Sequence, residues 1–217
     1  MNTRGIFITV EGGEGVGKST NIAFLEEQLK GYGVDLLVTR EPGGTDLGEE
    51  VRRLLLNAGS EPLSPMAELL LIFAARAQHI CTRIEPALAE GRWVLCDRFT
   101  DATFAYQCGG RGLDPKAVSA LEALVQGSLR PDYTLLLDAP AGTGMARVRA
   151  RGELDRFEME ELAFFERVRA TYLEMAGSNG GRYRLIDASQ PLALVQQQLR
   201  KVCSEITAHR GVRRPAP

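Results

Sequence analysis

The chain of 217 residues carries 26 basic and 28 acidic side chains, a formal charge of -2, with 44% hydrophobic and 25% charged residues. This balance excludes a disordered chain and a protein that coats nucleic acid, which would need a concentrated basic surplus. The longest apolar runs, about six residues, fall far short of the roughly 20 that a membrane helix needs. With no signal-peptide pattern at the N-terminus, a single cytoplasmic domain over residues 1–217 is expected, with no membrane or nucleic-acid partner.

Short aliphatic runs alternate with helical patterns along the chain. Ile6–Val10, Val34–Thr39, Trp93–Cys96, Tyr133–Leu137 and Tyr183–Ile186 read as strands. Between and after them, Lys18–Tyr32, Leu47–Asn57, Pro65–Glu90, Asp114–Gln126, Ala141–Ala150, Glu158–Ala176 and Pro191–Thr207 read as helices. Apolar strands separated by helices predict an α/β three-layer sandwich with a five-stranded parallel sheet. A tail over 210–217 is expected to fray.

Cys81, Cys96, Cys108 and Cys203 form no CxxC pair and histidines stand only at His79 and His209, so reduced thiols are expected and a zinc site is not. Of the basic residues only four are lysine, at 18, 30, 116 and 201, leaving 22 arginines. Arginine suits phosphates and carboxylates, but a bias across a whole chain mostly reflects composition.

One lysine lies in a motif. Gly12-Gly13-Glu14-Gly15-Val16-Gly17-Lys18-Ser19 follows the first strand and opens a helix, the strand, GxxxxGK[ST], helix arrangement of a P-loop. Backbone N–H groups from Gly12 through Thr20 would cradle the phosphates of ATP, with Lys18 on the β and γ phosphates and the Ser19 hydroxyl on Mg²⁺. None of the four lysines follows an asparagine, which disfavours a guanine-reading NKxD switch. The strands ending in acid continue Asp97-Arg98 and Asp138-Ala139 rather than Asp-Glu, which disfavours a motor ATPase. Asp97, at the C-terminal edge of a buried strand, is the second metal-side candidate; Asp138 reads chiefly as a helix cap. A small phosphotransferase remains, with Phe73, Arg76 and Arg98 able to converge on an acceptor. A kinase for another monophosphate and a non-enzymatic ATP switch are the alternatives.

The chain resembles the thymidylate kinases of bacterial type over nearly its whole length. The resemblance rests on the P-loop, Thr39-Arg40-Glu41-Pro42-Gly43-Gly44-Thr45, Phe73-Ala74-Ala75-Arg76, Asp97-Arg98-Phe99, Ala105-Tyr106-Gln107 with Gly109-Gly110-Arg111-Gly112, and Arg151-Gly152-Glu153-Leu154-Asp155-Arg156. It implies a P-loop nucleoside monophosphate kinase fold, a homodimer, and transfer of the ATP γ-phosphate to dTMP on the route to dTTP. It also implies that Arg76 meets the thymine carbonyl edge, Thr103 and Gln107 complete base recognition, Tyr106 lies under the deoxyribose, and Arg98 and Arg52 hold the acceptor phosphate. Phe73 is the expected stacking aromatic, although many members place theirs one residue earlier, where this chain has Ile72. Glu14 is expected near the sugar and compensated by an arginine or Mg²⁺. Over ATP, a lid at about residues 147–157 would supply Arg151, with Arg147, Arg149 and Arg156 as neighbours. Lys18, Arg98, Arg151 and Glu14 are the expected catalytic set.

Overall fold

The computed structural model describes residues 4–57, 62–152 and 154–212. Among these, five strands form one parallel sheet: β1 (Phe7–Glu11), β2 (Leu36–Arg40), β3 (Trp93–Asp97), β4 (Tyr133–Asp138) and β5 (Tyr183–Asp187), in the order β2-β3-β1-β4-β5. Central β1 pairs Ile8 with Leu95 of β3 and with Tyr133 of β4. All five run as expected, each within two residues of its predicted ends. The chain first crosses to the β2 edge and later to the β5 edge, so a crevice opens beside the carboxyl end of β1, where open α/β sheets bind ligands.

Alternation along β1 divides the core. Ile6, Ile8 and Val10 join residues of α1 (Lys18–Gly31) and α9 (Leu192–His209) on one face. Phe7 on the other face joins Ile80, Ile84, Ala87 and Leu88, while Leu136 of β4 packs with α7 (Ala141–Arg151) and α8 (Leu162–Ser178). Helices therefore cover both faces, which is why the strands read as continuous apolar runs.

Local signals start several helices. Thr45 caps α2 (Asp46–Leu56) by accepting from Gly48 N–H at 3.0 Å. Ser64 caps α3 (Pro65–His79), and Asp114 caps α6 (Pro115–Gln126), each with proline in the first turn.

Three elements differ from expectation. The helix expected over 65–90 is broken by one π turn at Ile80–Ile84 before α4 (Glu85–Ala89). Pro86 has no N–H for the regular ladder, and Glu85 N–H reaches back five residues to the Ile80 carbonyl. Thr100–Gly110, left without a helix, forms α5 (Thr100–Thr103) and a π turn over Phe104–Gly110; buried Tyr106, edge-on to Phe164 and Tyr172, holds this glycine-rich stretch helical. Helix α8 begins at Leu162 instead of Glu158, because Asp155 Oδ1 accepts from the N–H groups of Phe157 (2.9 Å) and Glu158 (3.0 Å) and turns the chain there. Of the expected tail, residues 213–217 lie outside the described residues; α9 ends at His209.

Candidate active site

The P-loop leaves β1 at Glu11 and enters α1 at Lys18. Gly15 holds a left-handed φ of 68°, and a Cβ there would lie 2.0 Å from the Gly144 carbonyl oxygen. Only glycine lets the loop turn while α7 approaches its backbone. Lys18 Nζ donates to the carbonyls of Gly12 (3.2 Å) and Gly13 (3.0 Å). Burial, then the neighbouring Arg98 charge, pushes the Lys18 ammonium below its usual range. Residues 14–20 line a cleft of about 590 Å³; Gly12 and Gly13 sit behind it.

Arg98 forms the hub of the site. Its backbone has a left-handed φ of 66°, a conformation that a non-glycine residue adopts only under constraint. The constraints are Arg98 N–H donating to Val10 O (3.0 Å) and the following Phe99 N–H donating to Glu11 Oε1 (2.7 Å). From there Nη2 donates to Glu14 Oε1 (2.6 Å) and to Tyr106 OH (3.0 Å), while Nη1 donates to Gly12 O (3.1 Å). Glu14 therefore has the arginine that its position beside phosphates requires. Burial alone would raise the Glu14 carboxyl, but Arg98 and Lys18 outweigh it and bring it to about 2. Asp97 and Ser19 line the same cleft, and the buried Asp97 Oδ1 makes no hydrogen bond among the described residues.

On the acceptor side, Arg76 is 1% exposed and held on several sides. Its Nε donates to Glu41 Oε2 (2.7 Å) and its Nη2 to Thr103 Oγ1 (3.0 Å). The rings of Phe73 and Phe99 lie 4.7 and 5.0 Å from its guanidinium carbon, and Nη1 has no hydrogen-bond partner among the described residues. Phe73 corrects the expectation placed on it: it packs with Leu69 and Val118 and does not line the cleft, whereas Ile72 does. Three and four residues before Arg76 differ in direction by one helical position, about 100°, enough to place one side chain in the site and the other behind it. Arg52, Thr103, Tyr106 and Gln107 all line the cleft, with Arg52 Nη1 donating to Pro42 O (3.1 Å) across the cis Glu41–Pro42 peptide.

The lid divides its arginines. Arg147 and Arg151 line the cleft, the latter bonded to Glu158 Oε1 at 2.5 Å; Arg149 does not. Arg156 faces away, donating to Leu55 O (2.7 Å) and to buried Glu68, and so fastens the lid to α2 and α3. Glu153 lies outside the described residues. Asp138, read as a cap, instead accepts both arms of Arg169 (2.7 and 2.8 Å); Pro140 precedes α7.

Sequence reasoning passed over Glu41 as a side chain, Glu68, His79, Glu11 and Tyr172. Each meets its partners across more than 25 positions of chain, so no local spacing marks them. Phe157 was also missed; it lines the cleft edge-on to Tyr106, with ring centroids 6.1 Å apart.

A parallel sheet in this order, with a P-loop at the carboxyl end of its central strand and an arginine-lined second pocket in the same cleft, defines a P-loop phosphotransferase of the nucleoside monophosphate kinase type. The family model described as thymidylate kinase matches residues 10–199. The chain belongs to the thymidylate kinase family. It is 59% identical over 195 residues to a thymidylate kinase of Pseudomonas savastanoi pv. phaseolicola, covering 90% of this chain and 93% of the relative. To one of Alcanivorax borkumensis it is 55% identical, covering 94% and 98%. The crystal structure of a thymidylate kinase from Ehrlichia chaffeensis superposes with a TM-score of 0.74 at 33% identity, covering 93% of this chain and 99% of that one.

Proposed function

We propose that this enzyme transfers the γ-phosphate of ATP to dTMP, giving dTDP and ADP for dTTP synthesis. The observation that carries the reading is the opening of the P-loop and of the Arg76, Thr103 and Gln107 pocket into one cleft of about 590 Å³. That size suits two nucleotides meeting by their phosphates. The named relatives support the choice of dTMP as acceptor.

Phosphoryl transfer asks mainly for alignment and for charge to meet the negative charge spread over the transferring oxygens. Lys18 and Arg151 supply that charge on the ATP side. Arg98 and Arg52 offset the repulsion of the incoming monophosphate, whose own oxygen is the nucleophile, so no general base is required. Tyr106, ringed by Phe157, Phe164 and Tyr172, supports the sugar. Lid residues 147–157 close over ATP and exclude water, which would otherwise accept the phosphoryl group.

The donor set fits Mg²⁺. Ser19 and Asp97 offer hard oxygen donors in the same cleft, and Asp97 Oδ1 is a buried acceptor with no hydrogen-bond partner among the described residues. Among the described residues no cluster of three or more His, Cys, Asp or Glu could hold a metal, which agrees with an ion bound by one or two side chains and completed by phosphates and water. When bound, Mg²⁺ would neutralise phosphate charge.

No helix among the described residues is long and apolar enough to cross a membrane, and we place the reaction in the cytoplasm. Met66 and Leu70, one turn apart on α3, are exposed, as is Leu124 on neighbouring α6; this apolar face supports a homodimer.

A coupled assay of ADP release with dTMP, dUMP, dCMP, AMP and GMP tests the function. Preference for dTMP is expected. A preference for AMP, GMP or dCMP overturns the reading, and ATP binding without acceptor-dependent ADP release would indicate a switch.

A further inference from the structure

Two buried carboxylates support the acceptor pocket, Glu41 from within its lining and Glu68 from behind it. Glu41 is 4% exposed and Glu68 0% exposed. Glu41 divides its oxygens between Arg76 Nε (2.7 Å) and His79 Nδ1 (2.9 Å), and His79 Nε2 is tied at 2.7 Å to Thr39 Oγ1 at the end of β2. Glu68 accepts from Gln107 Nε2 (2.8 Å), Arg111 Nε (3.3 Å) and Arg156.

The chemistry of these contacts fixes a polarity. An ionised carboxylate only accepts, so the part of the Gln107 amide facing Glu68 must be its NH₂ group, leaving the carbonyl as the amide's free end on a residue that lines the cleft. Arg76 has no acceptor atom at all. With Nε and Nη2 engaged and rings beside its guanidinium, its one unpartnered nitrogen is Nη1, a buried donor at the same cleft. Between them, Arg76 and Gln107 thus offer the pocket one donor and one acceptor.

We propose that Glu41 and Glu68 are positioning residues that set the polarity of base recognition: they present Arg76 as donor and Gln107 as acceptor, so that the pocket selects a pyrimidine with an N3–H beside a carbonyl and rejects cytosine. Thymine and uracil carry that N3–H and O4 pair. Cytosine reverses it, with a bare N3 and an N4 amine, and would set donor against donor and acceptor against acceptor. Sites built on buried hydrogen bonds discriminate by up to about 10⁴–10⁵-fold. His79 extends the device, since its bond to Thr39 keeps Glu41 from turning away from Arg76.

This inference rests on the pyrimidine reading of the acceptor site, so the wild-type enzyme is first assayed with dTMP and dCMP. If it prefers dCMP, the functional reading itself fails, whatever the variants do. Glu68→Gln is then compared with wild type. Glutamine can donate as well as accept, which frees the Gln107 amide to turn over. The expected result is a fall of about tenfold or more in the ratio of kcat/KM for dTMP over dCMP, with KM for ATP unchanged. A ratio within threefold of wild type, or equal loss with both monophosphates, overturns the proposal. Arg111→Met removes a different bond to Glu68 and leaves Gln107 in place; its ratio should stay at the wild-type value, and a matching fall there would assign the effect to the charge network instead. Should Glu68→Gln not fold, Glu41→Gln serves: KM for dTMP should rise about tenfold with KM for ATP unchanged, and an unchanged KM for dTMP overturns the proposal.

Discussion

Arg98 and Glu14, 84 positions apart in sequence, meet at 2.6 Å, with Tyr106 OH donating to the same Glu14 oxygen at 2.8 Å. The pair ties the P-loop to the residue that follows β3, and the guanidinium compensates the acid that this loop carries. Arg98 reaches it only because Glu11 accepts the Phe99 N–H and holds the left-handed turn at the end of β3.

Two neighbouring glutamates give this site opposite pH responses. Glu14, brought down to about 2 by Arg98 and Lys18 against the effect of burial, adds stability that is present above the ordinary carboxylate range and lost as pH falls from about 4.5 to 2. Glu11 is pushed above the usual carboxylate range, first by burial and then by Asp101, so its contribution is complete below about 4.5 and lost as pH rises above that value. Thermal unfolding followed from pH 4.5 to 8 should show Glu11→Gln flattening that decline; an unchanged slope would refute the assignment.

Arg151 faces the cleft from the lid, bonded to Glu158 Oε1. Removing an arginine that meets transition-state charge typically costs about 10³-fold in turnover. Arg151→Ala should lower kcat by that order at saturating dTMP, while dTMP binding is kept. Near-normal turnover would move the role to Arg147, the other cleft-lining lid arginine.

Arg52 reaches the cleft from α2 and is steadied by the Pro42 carbonyl. A hydrogen bond to a charged group contributes about 1.5–3 kcal/mol. Arg52→Ala should therefore raise KM for dTMP by roughly 10- to 100-fold with little change in KM for ATP. Equal effects on both substrates would remove Arg52 from the acceptor side.

Gly44 has a φ of 75°, and a Cβ there would lie 2.5 Å from both His79 Nε2 and Thr39 Oγ1. Gly44→Ala should cost about 1–3 kcal/mol, since it combines backbone strain with intrusion into a half-buried hydrogen bond. Denaturant unfolding measures the loss. Because His79 holds Glu41, KM for dTMP should rise with it.

The sequence by itself determined the periodic and contiguous features. Aliphatic runs gave the strands, and Gly12 through Ser19 marked the phosphate cradle, because a P-loop is built from consecutive backbone groups whose spacing survives in one dimension. Arg76 was legible as an acceptor-side candidate from its helical position, whereas its part in reading the base, and Gln107 altogether, were legible only through family motifs. The tertiary structure alone decided which side of α3 enters the site, setting Ile72 on the cleft wall and Phe73 behind Arg76. It alone turned Thr100–Gly110 into helix, since the burial of Tyr106 outweighs the low helical propensity of the glycines. It also decided the partners of the buried carboxylates. Glu41 with His79, Glu68 with Gln107, and Glu11 with Tyr172 are separated by 38, 39 and 161 positions. A buried charge must find hydrogen-bond partners wherever the folded chain brings them, and no local pattern records which they are.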